Sequence, residues 1–472
     1  MPILGLMSTE ATGVDAVRFK NVRRRVFYHY PNGNAPLMGL LSLLKEEETD
    51  DPEFSWWEKR LSQQRTTTAI ANAAGPWTTN PTTEVENAAE TDQAAQTWTV
   101  GALRAVTVTV GTVTALRLGH VVRIKNVVMA SGPTQDLFGI VTLIDIDGAE
   151  TKINLRSLTS TGGINVNQAT TNNGLEVLVV GSAFSQGALA LATGNLSPYN
   201  LPVELGNYVQ IFRTPFDITN TALKTSVKFD ETGLYKDQAK EASISHMIEM
   251  EKAFLFGTKA KLNATILAGS APIAPGNATD TLRTTTGGIL HFLARWEAGD
   301  YGTVTAAADT DDDKRIIANS TGFITDKLYD GFLERLFRVT NNTANEKLVL
   351  CGSGFLSVIN QMYKGKACLT ADLPLTDTYG MNVVKHVTPF GTIYYKTHPL
   401  FSQNALLRSN ALFLDVHNLH YRYIAGRDTE LLKNRQNNGD DFRRDEWLTE
   451  CGLELQYPES AMYMQNVLNY SP

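Results

Sequence analysis

Apolar positions along the chain change their period three times. From Trp98 to Val180 they alternate with polar residues: Val106, Val108 and Val110 are separated by Thr107 and Thr109, the two-residue period of a half-buried strand. The runs Val121–Val128, Ile140–Ile146, Thr151–Leu155 and Leu175–Val180 follow, punctuated by Gly119, Gly132-Pro133, Asp147-Gly148 and Gly162-Gly163. Asp-Gly between alternating runs favours a tight hairpin, because the turn that fits needs positive φ at its centre. The spacing predicts a small β-barrel or sandwich over residues 98–182.

The period then lengthens. No proline occurs between Pro215 and Pro272, and Ile244, Met247, Ile248, Glu251, Phe254 and Leu255 recur at spacings of three and four. This predicts one long helix, Leu234 to Phe256, with that stripe buried and Gly257 as its stop. On this phasing Met247→Asp is expected to unfold the subunit by burying an unpaired charge. A strand, Tyr208 to Ile218, precedes the helix. Beyond it the pattern mixes, with helices expected at Gly288–Glu297, Thr325–Arg338 and Gly354–Tyr363. Strands are expected at Lys347–Cys351, Val383–Val387, Thr392–Lys396, Ala411–Asp415, Tyr421–Ile424 and Leu448–Leu455. The class is α+β, without a solenoid repeat.

The leading segment has neither period for long. A basic cluster (Arg18, Lys20, Arg23, Arg24, Arg25) and the aromatic residues Phe27, Tyr28 and Tyr30 come first. The apolar stretch Pro36–Leu44, expected to be helical, then runs into Glu46, Glu47, Glu48, Asp50, Asp51 and Glu53. Such an arm either lies across neighbours or neutralises its charge blocks within the chain. Residues 66–97 are rich in Thr, Ala, Asn and Gly with Pro76 and Pro81, and their charges are Glu84, Glu86, Glu90 and Asp92. That composition builds no core and reads as a long extended loop, a feature that usually has a task.

Composition narrows the class. The chain has 472 residues, 43% of them hydrophobic, and a net charge of −7 with both signs interspersed. A protein coating nucleic acid over its whole surface would be strongly basic. Cys351, Cys368 and Cys451 form no Cys-x-x-Cys pair and no disulfide framework, and thiols in a reducing cytosol are expected. Met1 to Asp15 lacks a basic start followed by an apolar run, so no secretory signal is expected, and no stretch nears the roughly 20 apolar residues of a membrane span.

Each candidate for chemistry departs from its motif. Gly352 and Gly354 follow a strand and precede a helix, like half of a dinucleotide fingerprint, but Ser357 stands where the third glycine belongs and no acidic residue follows at the ribose position. His417 and His420 in one strand would point to opposite faces, and His386 and His398 have no zinc-like spacing to them. Asp309, Asp311 and Asp313 open like a calcium loop, but Lys314 and Ser320 replace its glycine and closing glutamate. Arg435, Arg443 and Arg444 interleave with Asp440, Asp441, Asp445 and Glu446, as an ion-pair network between subunits would need. Neither a nucleophile elbow nor a phosphate loop stands out. No catalytic, cofactor or metal residue is assigned, and the chain is not expected to be an enzyme.

The order of segments is more specific than any one motif. A charged arm, a long loop interrupted by a β insert, Phe212-Arg213-Thr214-Pro215-Phe216, a long helix ending Phe254-Leu255-Phe256-Gly257-Thr258-Lys259, and Arg283-Thr284-Thr285-Thr286-Gly287-Gly288 follow one another. Pro389-Phe390-Gly391-Thr392, Phe413-Leu414-Asp415 and Leu453-Glu454-Leu455 continue the series. Over roughly residues 25–465 this resembles the major capsid proteins of tailed bacteriophages with the HK-97-like fold.

The resemblance implies an amino-terminal arm and first helix at 1–69 and an extended loop at 70–215 carrying the β insert at 98–182. It implies a spine helix of a peripheral domain at 216–264, an axial domain with peripheral parts at 265–425, and a return to the peripheral domain at 426–472. It further implies self-assembly into hexamers and pentamers of an icosahedral head that encloses double-stranded DNA, with the portal and decoration or scaffolding proteins as partners and no membrane. The expected location is the virion, after assembly in the host cytoplasm. Alternatives are an encapsulin-like compartment shell, against which the insert and length argue, and a phage tail or decoration protein.

Overall fold

The computed structural model describes residues 36–41, 46–59, 67–69, 77–79, 96–98, 100, 103–108, 116–127, 133–147, 150–159, 161–164, 176–186, 201–225, 233–262, 283–298, 314–338, 345–364, 375–378 and 381–471. The chain divides into two units, one of residues 1–58 and 204–472, the other of residues 59–203.

The larger unit contains two sheets of size. A five-stranded sheet runs in the order Glu46–Thr49, Leu419–Ile424, Phe442–Leu455, Gln210–Thr219, with Glu430–Leu432 also paired to Phe442–Leu455. The first pair is parallel and the others antiparallel. The long helix, Leu234–Phe256, follows Gly233 and ends at Gly257, with neither glycine nor proline inside it. It packs on one face of this sheet: Trp447 Nε1 donates to the Ala239 carbonyl at 3.2 Å, and Phe212 and Phe254 are both fully buried.

A seven-stranded mixed sheet runs Ile316–Ala318, Met462–Gln465, Ala411–Leu414, Glu346–Cys351, Thr392–Thr397, Met381–Val387, Leu375–Thr378. Its central strands are nearly all apolar because both faces are covered. Val349, Cys351, Ile393, Tyr395 and Phe413 pack against the helices Asp326–Arg338 and Ser353–Lys364. Leu348, Leu350, Tyr394, Leu412 and Leu414 enter the core shared with the long helix, the helix Ile289–Glu297 and the arm helix Pro36–Leu41.

The smaller unit holds an antiparallel seven-stranded sheet ordered Thr67–Ala69, Glu176–Ser182, His120–Val127, Gln135–Asp147, Glu150–Ser157, Leu103–Val108, Trp77–Thr79. Asp147 pairs with Glu150 across the Asp-Gly hairpin, as its sequence predicts. Leu116, Val122, Ile124, Leu137, Ile153, Leu155 and Val177 are among its core residues. A two-stranded ribbon joins Gln96–Trp98 to Thr161–Ile164.

Several expectations change. The segment expected as a loop over 66–97 contributes strands at 67–69, 77–79 and 96–98: threonine's β-branch suits a sheet edge even where composition cannot build a core. Among the described residues the sheet path is open, with no pairing between its first and last strands. The expected extended segment ends before 215, because Gln210–Thr219 pairs along ten positions with Thr219↔Phe442 through Gln210↔Cys451. The last segment is split: Phe442–Leu455 joins the long helix's sheet, whereas Met462–Gln465 crosses to the seven-stranded one. Leu419–Ile424, within the segment expected to be axial with peripheral parts, belongs to the five-stranded sheet.

The helix itself matches its predicted ends, but its buried face is rotated. The buried residues are His246, Met250, Glu251, Phe254 and Leu255, while Met247 is 42% exposed and Met250 1%. The predicted stripe holds at Glu251, Phe254 and Leu255 but misplaces Met247, because the polar His246 turns inward to hydrogen-bond Thr214 and Thr449. The effect expected of Met247→Asp therefore belongs to Met250→Asp. In thermal unfolding of dispersed subunits, Met247→Asp should change stability by no more than about 0.5 kcal/mol. Met250→Asp should abolish the cooperative transition or lower it by several kcal/mol.

Candidate functional site

The motifs that are separate in sequence converge at the end of the long helix. Gly257 N–H donates to the Ala253 carbonyl at 2.8 Å, and Gly288 N–H donates to the Gly257 carbonyl at 2.8 Å. A Cβ at Gly257 would lie 2.3 Å from the Ala253 oxygen, and one at Gly288 2.7 Å from the same oxygen, so this close approach admits only glycine. Just beyond, Ala260–Leu262 pairs with Arg283–Thr285. Asn207, fully buried, ties the joint to the sheet. Its Nδ2 approaches Thr286 Oγ1 (3.0 Å) and the carbonyls of Gly287 (2.9 Å) and Leu453 (2.7 Å), and its Oδ1 accepts from Gly287 N–H at 2.7 Å. Gln210 Oε1 accepts from Thr286 N–H at 3.1 Å.

Two further polar joints lie in the same core. Glu251 Oε1 accepts from Leu37 N–H at 3.2 Å and also meets His398 Nε2, so the arm helix and the segment capped by His398 are both bound to the long helix. Leu400 N–H donates to His398 Nδ1 at 3.1 Å, which leaves the proton on Nε2. Leu37, Leu40 and Leu41 are completely buried, worth about 1.5–3 kcal/mol each as an upper estimate. Lys347, with a side chain 0% exposed, donates to Asp415 Oδ2 at 3.2 Å and to the Ser460 carbonyl at 3.0 Å. Burial pulls the Lys347 ammonium below the usual lysine range, and Asp415 opposes that.

Residues singled out from sequence are mostly apart. Gly352 and Gly354 do sit between a strand and a helix, but a Cβ at Gly352 would lie 2.2 Å from the Arg408 carbonyl oxygen, and that oxygen accepts from Phe355 N–H at 3.1 Å. The Arg408 backbone occupies the place a phosphate would need. His417 lies in a single 3-10 turn, Val416–Asn418, capped by Asp415, rather than in a strand with His420. His386 lies against Tyr363 with ring centroids 4.1 Å apart, and His398 is at the arm joint. Among the described residues no three His, Cys, Asp or Glu side chains are grouped to hold a metal. Asp309, Asp311, Asp313 and Cys368 lie outside the described residues. Burial pushes the Cys351 thiol up to about 12 and raises Cys451 as well, so neither is a poised nucleophile.

The charged run near the end makes its described pairs within the chain. Arg443 pairs with Asp445 (3.0 Å), Arg444 with Asp217 (2.6 Å), and Glu446 accepts from both Arg213 (2.7 Å) and Arg435 (3.2 Å). These residues belong to a strand whose partner, Gln210–Thr219, supplies Arg213 and Asp217. In the acidic block Glu47 pairs with Arg422, which also holds Glu454. Hydrogen bonding from Arg444 holds Asp217 below the usual carboxylate range. Asn207 and His246 escaped the sequence reading because a lone buried polar residue has no periodic signature. His246 bridges Thr214 Oγ1 (2.9 Å) and Thr449 Oγ1 (2.8 Å), and burial lowers its pKa.

The polar groups of this core bind one element to another, the arrangement of a structural subunit. A model of the SU10 major capsid protein family matches residues 7–468, and the chain belongs to that family. Its role is to form a phage capsid shell; the compartment-shell and tail or decoration alternatives gain no comparable match. No curated protein matches the chain. Solved structures similar to it include the SrpI encapsulin complex of Synechococcus elongatus PCC 7942, at 11% identity and TM-score 0.36, covering 58% of this chain and 79% of that one. The cyanophage A-1(L) capsid has 10% identity and TM-score 0.37, covering 60% and 85%. The capsid of a native GTA particle has 12% identity and TM-score 0.37, covering 60% and 80%. Likeness at this level carries no argument about this chain's partners.

Removing one partner of the buried Lys347–Asp415 pair should cost about 3–5 kcal/mol, so Lys347→Met should shift urea unfolding strongly, while Lys347→Met with Asp415→Leu should recover part of the loss. The pH dependence follows from His246. Its folded pKa is depressed, so the unfolded chain binds the proton first and stability is full above about pH 6.5, falling as pH drops towards the folded value. Unfolding free energies measured between pH 5 and 7.5 should show a smaller slope in His246→Gln than in the parent.

Proposed function

We propose that this chain is the repeating subunit of an icosahedral head of a tailed phage, assembling into hexamers and pentamers around double-stranded DNA. The observation that carries the reading is the family match across residues 7–468. The order of arm, long helix and two sheets is read as an HK-97-like fold. The five-stranded sheet with the long helix forms the peripheral portion, and the seven-stranded sheet forms the axial one. The portal and scaffolding or decoration proteins are its further partners, assembly takes place in the host cytoplasm, and the chain catalyses no reaction.

The physical logic is that of heterologous contact closed into rings. Many modest contacts per subunit add through multivalency, so no single one has to be strong. A body held by buried polar joints keeps its shape while rings of five and six demand different angles from its neighbours. Change between precursor and mature shells is then a tilt of rigid parts, of the hinge-and-shear kind.

Electron microscopy of the expressed chain tests this. Closed icosahedral shells, or rings of five and six that anneal into them, are expected. A persistent monomer at high concentration, or open tubes alone, would refute the reading.

A further inference from the structure

We infer that Asn438 is a site of spontaneous deamidation, at which the backbone nitrogen of Gly439 attacks the Asn438 side-chain amide and an aspartate or isoaspartate results. The inference does not depend on the reading of the chain as a shell subunit. Three Asn-Gly pairs occur in the sequence, Asn32-Gly33, Asn173-Gly174 and Asn438-Gly439, and the last lies within the described residues. The step needs no co-reactant but water. A bond forms between Gly439 N and Asn438 Cγ, the Cγ–Nδ2 bond breaks, and the side-chain nitrogen departs as ammonia with the proton from Gly439. Water then opens the five-membered ring at either of its carbonyls.

Each structural condition for that attack is met. Residues Asn437 to Asp441 are exposed. Gly439 has φ +108°, and a Cβ built on it would meet nothing within 4 Å, so neither a side chain nor a neighbour shields the attacking nitrogen. Among the described residues, the Asn438 side chain and the Gly439 N–H have no hydrogen-bond partner. Bringing that nitrogen to Cγ takes a rotation about the Asn438 Cα–C bond. The turn that opposes it is closed by Asp440 N–H and the Asn437 carbonyl, a long bond of 3.3 Å. The loop is fastened outside this turn. Arg435 N–H donates to the Arg444 carbonyl at 2.8 Å, Asn434 N–H to Asp445 Oδ1 at 2.8 Å, and Asn220 Nδ2 to Asp441 Oδ1 at 2.6 Å. The extra backbone methylene of isoaspartate is therefore confined to the turn, and Phe442–Leu455 keeps its pairing. Asn437 supplies the contrast: it is equally exposed, but the residue after it carries a side chain that hinders the nitrogen. The product adds a carboxylate beside Asp440 and Asp441, close to Arg444, whose charge Asp440 already stabilises.

The test incubates the full-length folded chain beside a synthetic peptide of residues 433–442 at mildly alkaline pH, where the attacking amide loses its proton more readily. Fragment-level mass spectrometry should show a gain of about 1 Da at Asn438, divided between aspartate and isoaspartate forms that separate chromatographically. Because the turn is already open, the folded chain should react within about tenfold of the free peptide, whereas a site that waited for global unfolding would be slower by ~1,000-fold or more. Asn437, read in the same digests, should gain at least about tenfold less than Asn438. Asn438→Gln should show no gain at that position, since its ring would need a sixth member, and Gly439→Ala should slow the reaction by about tenfold or more. Protection of the folded chain by more than about tenfold relative to the peptide overturns the inference. So do equal gains at Asn437 and Asn438, or a Gly439→Ala chain that reacts as fast as the parent.

Discussion

The larger unit depends on one place where backbone meets backbone without side chains between. At the end of the long helix, Gly257 and Gly288 bring two chain segments to hydrogen-bond distance, and the Ala253 oxygen lies where either Cβ would be. Any larger residue would separate the helix from the following segment, and with it Thr286 and Gly287, which Asn207 holds. A buried amide is costly unless nearly all its hydrogen-bonding capacity is used. Asn207 meets that condition only if the glycine contact is closed. The close approach and the buried amide therefore require each other, and together they fix the direction in which the chain leaves the helix.

The second consequence of burial is the use of both faces of the seven-stranded sheet. Alternate residues of Glu346–Cys351 enter two different cores, Leu348 and Leu350 towards the long helix, Val349 and Cys351 towards the helices 326–338 and 353–364. A displacement of that strand disturbs both sides at once. Lys347 sits on the same strand with Asp415 and Ser460, so the register is specified by a charge pair as well as by packing. A one-residue slip would exchange the two cores and leave the pair unmade.

What the sequence made legible follows from which interactions leave a period. Helix ends bounded by Gly233 and Gly257, the Asp147-Gly148 hairpin and the apolar run Leu348–Cys351 are local signals, and each appears at or within a residue or two of its expected place. The orientation of the long helix was not local. Met247 and Met250 are equivalent by composition, and only Thr214 and Thr449, distant in sequence, decide that His246 turns inward. The extent of Phe442–Leu455 was hidden for the same reason. Its first half, Phe442 to Trp447, is rich in charge and reads as surface, yet Gln210–Thr219 supplies the arginine and aspartate that let it continue as a strand.

That strand shows how a chain with interspersed charges remains suited to a shell. Glu446, Glu450 and Glu454 recur on one of its faces and all three are buried, Glu446 beneath Arg213 and Arg435, Glu450 beneath Arg427, Glu454 beneath Arg422. Arginine suits this cover because its guanidinium can hold a carboxylate with one edge while its other edge stays in water. A carboxylate left for a neighbour to satisfy would be stranded wherever that neighbour sat at a different angle, and a buried unpaired charge costs several kcal/mol. Pairs completed at home carry no such dependence on the neighbour's position. A subunit that has to serve in rings of both five and six can then vary its outer contacts, each weak by itself, without disturbing the charges on which its own fold relies.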